Sequence, residues 1–174
     1  MFANRISYWL NTKGPSMTLD DACCGSIVAL EEAFKAINSG TIEAAIVAGT
    51  NLCLSPQILV HFNRCIKISP DGKTRSFDQN ADGCTKAEAI SVIFLQKAKH
   101  ALRAYAEVIH VKNEFVSKLH GETGQKFGYV RNPTASADFL KKFYSEARVP
   151  ANNVEYIEAC GSATPEADKA ELQS

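Results

Sequence analysis

The chain has 174 residues, of which 45% are hydrophobic and 22% are charged, a composition typical of folded globular proteins that excludes a disordered or fibrous one. Its 19 basic and 19 acidic residues cancel, so no net charge favours nucleic acid or an anionic membrane surface. The sequence lacks a run of 18 apolar residues and a signal peptide, and we therefore expect a cytoplasmic protein with no membrane span.

The first half of the chain alternates between helix and strand patterns. A helix is predicted over Cys23–Ser39, where apolar residues recur every three or four positions and Gly40 supplies a stop. The small and β-branched residues of Ala44–Ala48 predict a buried parallel strand. The other predicted elements are an extended segment, a helix that begins with proline, a turn and two strands: Ser16–Asp20, Pro56–Arg64, Ser69–Gly72, Ala89–Leu95 and Ala104–Lys112.

The second half begins with a long predicted loop over Glu114–Thr134, which has several glycines and no sustained period. An amphipathic helix follows over Ser136–Arg148, with Ser136 or Asp138 available as its cap. Val154–Ala159 is a predicted strand that runs into a turn of small residues at Cys160–Thr164. This order of elements indicates a layered α/β protein with mainly parallel strands.

Two adjacent cysteines, Cys23 and Cys24, stand at the predicted start of the first helix. Unpaired backbone N–H groups and the helix dipole would stabilise a thiolate there, which makes either residue a candidate nucleophile. The alternative is that they are small buried hydrophobic residues. No zinc-ligand spacing is present, so we expect reduced cysteines and no metal site.

The segment "ANRISYWLNTKGPSMTLDDACCGSIVAL" resembles the active-site region of β-ketoacyl synthases, the condensing enzymes of fatty acid and polyketide synthesis. Further motifs agree in order and spacing: "GTNLCLSP", "ISPDGKTRSFDQNADG" and "KAEAISVIFLQKA". The sequence of these motifs is most similar to the synthase domain of animal, insect-like multifunctional fatty acid synthases. In this register Cys23 is the acyl-accepting nucleophile.

The C-terminal segment "EACGSATPEADKAEL" resembles the family pattern EAHGTGTxxGDPxE, with one important departure. Cys160 stands where the family has its first catalytic histidine, which donates a hydrogen bond to the malonyl thioester oxygen. A neutral thiol is a weak donor, so this position is expected to be non-functional. Alanines at 163 and 167 replace glycines and are expected to crowd the turn. The resemblance also implies substrate contacts at Thr164, and more weakly at Gly121 and Thr123.

The resemblance implies a thiolase-like αβαβα fold of which this chain is the middle portion, with residues 1–112 in the later part of the N-terminal half and 113–174 opening the C-terminal half. It implies decarboxylative condensation of an acyl group on cysteine with a malonyl group, both delivered on the phosphopantetheine of acyl carrier protein, with no directly bound cofactor. A homodimer is implied, and no nucleic-acid or membrane partner. On this basis the fragment alone is expected to be inactive.

Two alternatives remain open. The first is that the chain is a degenerate, non-catalytic remnant or an interaction module, and the cysteine at position 160 favours this alternative. A cysteine hydrolase is the other, because Cys23-Cys24-Gly25 supplies half of a G-x-C-x-G elbow, although Asp21 stands where its first glycine is needed.

Overall fold

The structure, a computed structural model, describes residues 1–115 and 132–174 of the chain. The helices are α1 Phe2–Leu10, α2 Gly25–Asn38, α3 Pro56–Cys65, α4 Pro133–Ala147 and α5 Pro165–Leu172, and the strands are β1 Ala44–Asn51 and β2 Ala89–Gln96. Single 3₁₀ turns lie at Ala22–Cys24, Ala98–His100 and Ala151–Asn153. The chain divides into two compact units, the first comprising Met1–Asn51 with Ala89–Asn113 and the second Leu52–Glu88 with Glu114–Ser174.

The first unit is built on a two-stranded sheet. β1 and β2 pair antiparallel, from Ala44 opposite Gln96 to Asn51 opposite Ala89. The predicted parallel arrangement of β1 is therefore wrong. Small and β-branched residues favour a strand, but they do not specify whether its neighbour runs parallel or antiparallel. Val47 is buried on the face that α2 covers, and an added Cβ at Gly49 would lie 2.7 Å from the Cβ of Ser26. Glycine at this position thus permits the close approach of α2 to the sheet.

Five of the predicted helices and strands are confirmed, namely the helices α2, α3 and α4 and the strands β1 and β2. The strands predicted at Ala104–Lys112 and Val154–Ala159 are wrong, since these segments, like the predicted extended segment Ser16–Asp20, have no regular secondary structure. A strand requires a neighbour to accept its backbone hydrogen bonds, and the composition of a segment cannot supply one. Helix α1, in contrast, was not predicted.

The helix predicted from Ser136 is confirmed but begins three residues earlier. Pro133 occupies the first turn of α4, and the Oδ1 atom of Asn132 accepts a hydrogen bond from the amide of Ala135 at 3.2 Å. Asn132, and not Ser136 or Asp138, is thus the cap, as suits an asparagine directly before a proline at a helix start. Within residues 1–115 and 132–174, none of the helices has the length and apolar character needed to cross a membrane.

A buried carboxylate ties the end of the first unit to α2. The Oε2 atom of Glu31 accepts hydrogen bonds from the backbone amide of Asn113 at 2.7 Å and from its Nδ2 at 2.6 Å, while Oε1 pairs with the Nζ of Lys35 at 2.8 Å. Burial raises the pKa of the Glu31 carboxyl, but the hydrogen bonds from Lys35 and Asn113 outweigh burial and hold this pKa below its ordinary value of 4.5. The charged carboxylate is therefore the form that the fold stabilises.

Replacing Glu31 by glutamine is expected to destabilise the chain by about 1 to 3 kcal/mol near neutral pH, because the ion pair and one strong acceptor are lost. A carboxyl with a lowered pKa in the folded chain contributes stability above its unfolded pKa, and that contribution disappears as the pH falls through the folded pKa. Urea unfolding from about pH 7 to about pH 3 should therefore show a shallower pH dependence for Glu31→Gln than for the parent.

The matched control is Glu32→Gln, since Glu32 is exposed on the same helix with Lys35 at 3.3 Å. We expect this control to retain the parent's pH dependence. An equal loss of stability in both variants would contradict the special role of Glu31.

Candidate functional site

Cys23 lies in the first unit, in the 3₁₀ turn Ala22–Cys24 that leads into α2. Its side chain is exposed, as a nucleophile must be. The preceding Ala22 has φ +45, in the left-handed region that alanine rarely adopts. Helix α2 begins at Gly25 with Cys24 as its N-cap, so the predicted helix start at Cys23 is two residues early. The thiol of Cys23 thus belongs to the tight turn before the helix.

All six cysteines are free, and exposure alone does not single out Cys23. Four are exposed and two are partly buried, the exposed ones being Cys23, Cys24, Cys65 and Cys160 and the others Cys53 and Cys84. In residues 1–115 and 132–174, no group of three or more histidine, cysteine, aspartate or glutamate residues is placed to hold a metal ion.

Cys160 lies in the second unit, in the turn before α5, and its side chain is exposed. The carboxylate of Glu171 holds the backbone of this turn. Its Oε1 accepts from the amide of Cys160 at 2.8 Å and its Oε2 accepts from the amide of Gly161 at 2.9 Å. Both carboxylate oxygens are thus used on consecutive peptide groups.

The loop at residues 76–83 holds the same turn from another side. The Oγ of Ser76 donates to the carbonyl of Gly161 at 2.6 Å, and the amide of Gly83 donates to the carbonyl of Ala163 at 2.9 Å. Asp168, which is only 4% exposed, accepts from the amide of Phe77 at 2.8 Å and from the hydroxyl of Ser162 at 3.3 Å. The backbone of the turn is therefore fixed by side chains on α5 and in this loop.

An ion-pair cluster anchors that loop. Arg75 pairs with Asp71 and also with Asp82, at 3.3 Å for the latter, and Ser69 donates to Asp71 at 2.8 Å. The hydrogen bond from Arg75 holds the pKa of the Asp71 carboxyl well below its usual range. Arg75 directly precedes Ser76, so the cluster restrains the residue that contacts the carbonyl of Gly161.

Two residues of the turn have left-handed backbone conformations. Gly161 has φ +50, and an added Cβ would lie 2.9 Å from the Cβ of Ser76. Ala163 has φ +56 and is fully buried. A side chain with a Cβ is strained in this left-handed conformation, so the alanine, as expected, carries backbone strain at a position where the family pattern has glycine. The same expectation for Ala167 is wrong, because Ala167 lies inside α5, where alanine is the most favourable residue.

The remaining predicted site residues fall in different places. Thr164 is half-buried at the N-cap of α5, and its side chain makes no capping hydrogen bond. It shares the turn with Cys160. Gly121 and Thr123 lie outside the described residues, so the weaker substrate contacts stay predictions.

Sequence reasoning gave no role to the two carboxylates of α5 that hold the turn. Asp168 and Glu171 match the aspartate and the last glutamate of the family pattern EAHGTGTxxGDPxE, and this match is the available signal. Their function could not be read from the pattern, because hydrogen bonds from a carboxylate to distant backbone amides follow no sequence periodicity.

Two family models match the chain. The β-ketoacyl synthase N-terminal domain matches residues 1–101, and the β-ketoacyl synthase C-terminal domain matches residues 115–174. A fatty acid synthase of the goose Anser anser anser is 38% identical over 173 residues, covering 99% of this chain and 47% of the relative. The polyketide synthase PksN of Bacillus subtilis is 34% identical over 170 residues, covering 97% of this chain and 3% of the relative.

Solved structures agree with these matches. An oxazolomycin ketosynthase domain of Streptomyces albus has a TM-score of 0.80 at 30% identity, covering 98% of this chain and 30% of the solved one. The ketosynthase from module 6 of the bacillaene synthase of Bacillus subtilis has a TM-score of 0.82 at 26% identity, with the same coverage. The predicted thiolase-like layered α/β fold is therefore confirmed. The chain spans about half the length of the goose relative and less of the others, and it belongs to the β-ketoacyl synthase family.

Proposed function

We propose that this chain is the segment of a β-ketoacyl-[acyl-carrier-protein] synthase that accepts the growing acyl group, and that it works in fatty acid synthesis. The observation that carries the proposal is the exposed thiol of Cys23, in a tight turn before α2 and at the family's nucleophile position. The strained φ of Ala22 supports it, since backbone strain of this kind is concentrated at functional sites.

In this mechanism the thiolate of Cys23 attacks the carbonyl carbon of an acyl thioester carried on phosphopantetheine. A new carbon–sulfur bond forms at Cys23, the bond between the acyl carbon and the sulfur of the carrier breaks, and the carrier leaves as a thiolate that takes up a proton from water. A malonyl thioester then loses carbon dioxide, and the electron pair of the broken carbon–carbon bond forms an enolate. The enolate attacks the acyl carbon, and Cys23 leaves as a thiolate. Covalent catalysis thus divides a difficult carbon–carbon bond formation into two steps.

In the second step, the decarboxylation of the malonyl thioester, the proposed contacts to the substrate come from the turn at residues 160–164. Enolate formation places negative charge on the thioester oxygen, which hydrogen-bond donors at residue 160 would stabilise. Thr164 lies half-buried in the same turn, and we assign its hydroxyl to contact with the carrier-linked substrate because the family resemblance implies it. Cys160 is a weak donor at this position, so the chain as it stands should condense slowly.

A fatty acid product is favoured over a polyketide by the relative at 38% identity, although polyketide synthases are 31% to 36% identical over almost the same residues. The proposed partner is an acyl carrier protein domain, and the proposed assembly is a cytoplasmic homodimer. A non-catalytic copy is the second candidate, and the cysteine at position 160 favours it.

The test joins the chain to the flanking segments of a related synthase, supplies it with carrier-linked acyl thioesters and identifies the acylated peptide by mass spectrometry. We expect an acyl group on Cys23, and faster loading of an unbranched saturated acyl group than of a β-hydroxy or α-methyl acyl group. Faster loading of the substituted groups would contradict the fatty acid assignment. Absence of acylation at Cys23 with every donor would contradict the condensing function and favour the non-catalytic copy.

A further inference from the structure

Glu171 makes contacts that helix stability does not require. It lies in the last turn of α5, whereas the two amides that it binds precede that helix. The amides left unpaired at a helix start are those of its first turn, so Glu171 does not cap its own helix. It brings a negative charge to two successive N–H groups of the turn, and charge-assisted hydrogen bonds of this kind are stronger than neutral ones.

These contacts fix the direction in which the side chain of residue 160 leaves the backbone. The amide of Cys160 is held by Oε1, and the peptide group that follows is held through the amide of Gly161 by Oε2. Ser76 holds the carbonyl of Gly161 at 2.6 Å. The peptide groups on both sides of the Cα of Cys160 are therefore restrained through their N–H groups, and the carbonyl of Gly161 is held as well. Rotation about the backbone of residue 160 is restricted as a result.

We propose that Glu171 is a positioning residue that aims the side chain of residue 160 at the substrate. The proposal rests on the proposed function, because residue 160 is there assigned to the malonyl thioester oxygen. Misplacing a reacting group by about 1 Å can reduce a rate by on the order of 10²-fold, so a fixed backbone at this residue has a direct consequence for catalysis.

The first test is amide hydrogen exchange of the full chain, resolved by residue, in Glu171→Gln and Glu171→Ala. Glutamine keeps one acceptor oxygen, so one of the two amides should lose its partner, and alanine should release both. We expect exchange at Cys160 and Gly161 to accelerate by roughly 10- to 100-fold in the alanine variant, with a smaller effect in the glutamine variant. Glu166→Gln, at an exposed residue on the same helix, is the matched control and should leave both amides protected.

The comparison amide lies in the same unit, where Ile66 donates to the carbonyl of Phe62 at the end of α3. Unchanged exchange at Ile66, with faster exchange at Cys160 and Gly161, supports local positioning. Faster exchange at all three amides would show that Glu171 only stabilises the unit and would overturn the proposal. Unchanged exchange at Cys160 and Gly161 would overturn it as well.

The second test joins the chain to the flanking segments of a related synthase and measures malonyl-thioester decarboxylation in a Cys160→His background, with and without Glu171→Gln. Positioning predicts that kcat falls by about 10- to 100-fold while KM changes by less than about twofold, and that acylation of Cys23 is unaffected. A raised KM at constant kcat would overturn the positioning role. If the Cys160→His chain shows no decarboxylation, the proposed function fails, whereas the exchange measurement still decides whether Glu171 fixes the turn.

Discussion

Replacement of Cys23 by serine is expected to abolish acyl loading of the chain when the flanking segments of a related synthase are supplied. Serine is close to cysteine in size, so the turn at Ala22–Cys24 and the start of α2 should be preserved. The hydroxyl is a much weaker nucleophile at neutral pH than a thiol, of which a few per cent is already thiolate. The rate of acyl transfer from a carrier-linked thioester should fall by on the order of 10³-fold or more.

The adjacent Cys24 provides the matched control. It is also exposed and forms the N-cap of α2, a position that serine favours, so Cys24→Ser should fold at least as well as the parent. We expect it to load acyl groups at nearly the parent rate. The measurement is mass-detected acylation of the peptide that contains both residues, followed over time in each variant. Loss of loading in Cys24→Ser, with retention in Cys23→Ser, would show that Cys24 and not Cys23 is the nucleophile.

The sequence predicted the elements that depend on local pattern. Helix α2 follows from apolar residues at spacings of three and four, and α3 from a proline at its first position, because both signals act within a few residues. The antiparallel pairing of β1 with β2 could not be predicted, since it joins segments about 45 residues apart in the chain. The wrong strand at Ala104–Lys112 has the same cause: its composition suits a sheet, but no partner strand lies beside it in the structure described.

The candidate site divides in the same way. Cys23 and Cys160 were found from motif positions, and the φ of Ala163 confirms that its place in the turn suits glycine. The support of the turn was out of reach, because Ser76 and Gly161 are 85 positions apart and Phe77 and Asp168 are 91 apart. Residue type showed that these groups can form hydrogen bonds, but only the fold determines which groups they meet.

In the chain joined to the flanking segments of a related synthase, the Cys160→His substitution is expected to have the largest favourable effect on the condensing reaction. The side chain of Cys160 is exposed, so an imidazole ring can replace the thiol without displacing a packed neighbour. The backbone contacts of residue 160 involve its amide and not its side chain, so Glu171 should hold the histidine in the same place. An imidazole N–H is a strong donor, whereas a thiol is a weak one.

The gain should appear in one step of the reaction only. Restoring one donor to the developing enolate should raise the rates of malonyl decarboxylation and of β-ketoacyl product formation by about 10²- to 10³-fold, or roughly 3 to 4 kcal/mol of transition-state stabilisation. Acylation of Cys23 should not change, because loading does not pass through the enolate. Cys65→His, at an exposed cysteine that ends α3 in the same unit, is the control for adding an imidazole elsewhere and should leave both rates at the parent level. Equal condensation rates with cysteine and with histidine at position 160 would show that this residue does not limit the reaction.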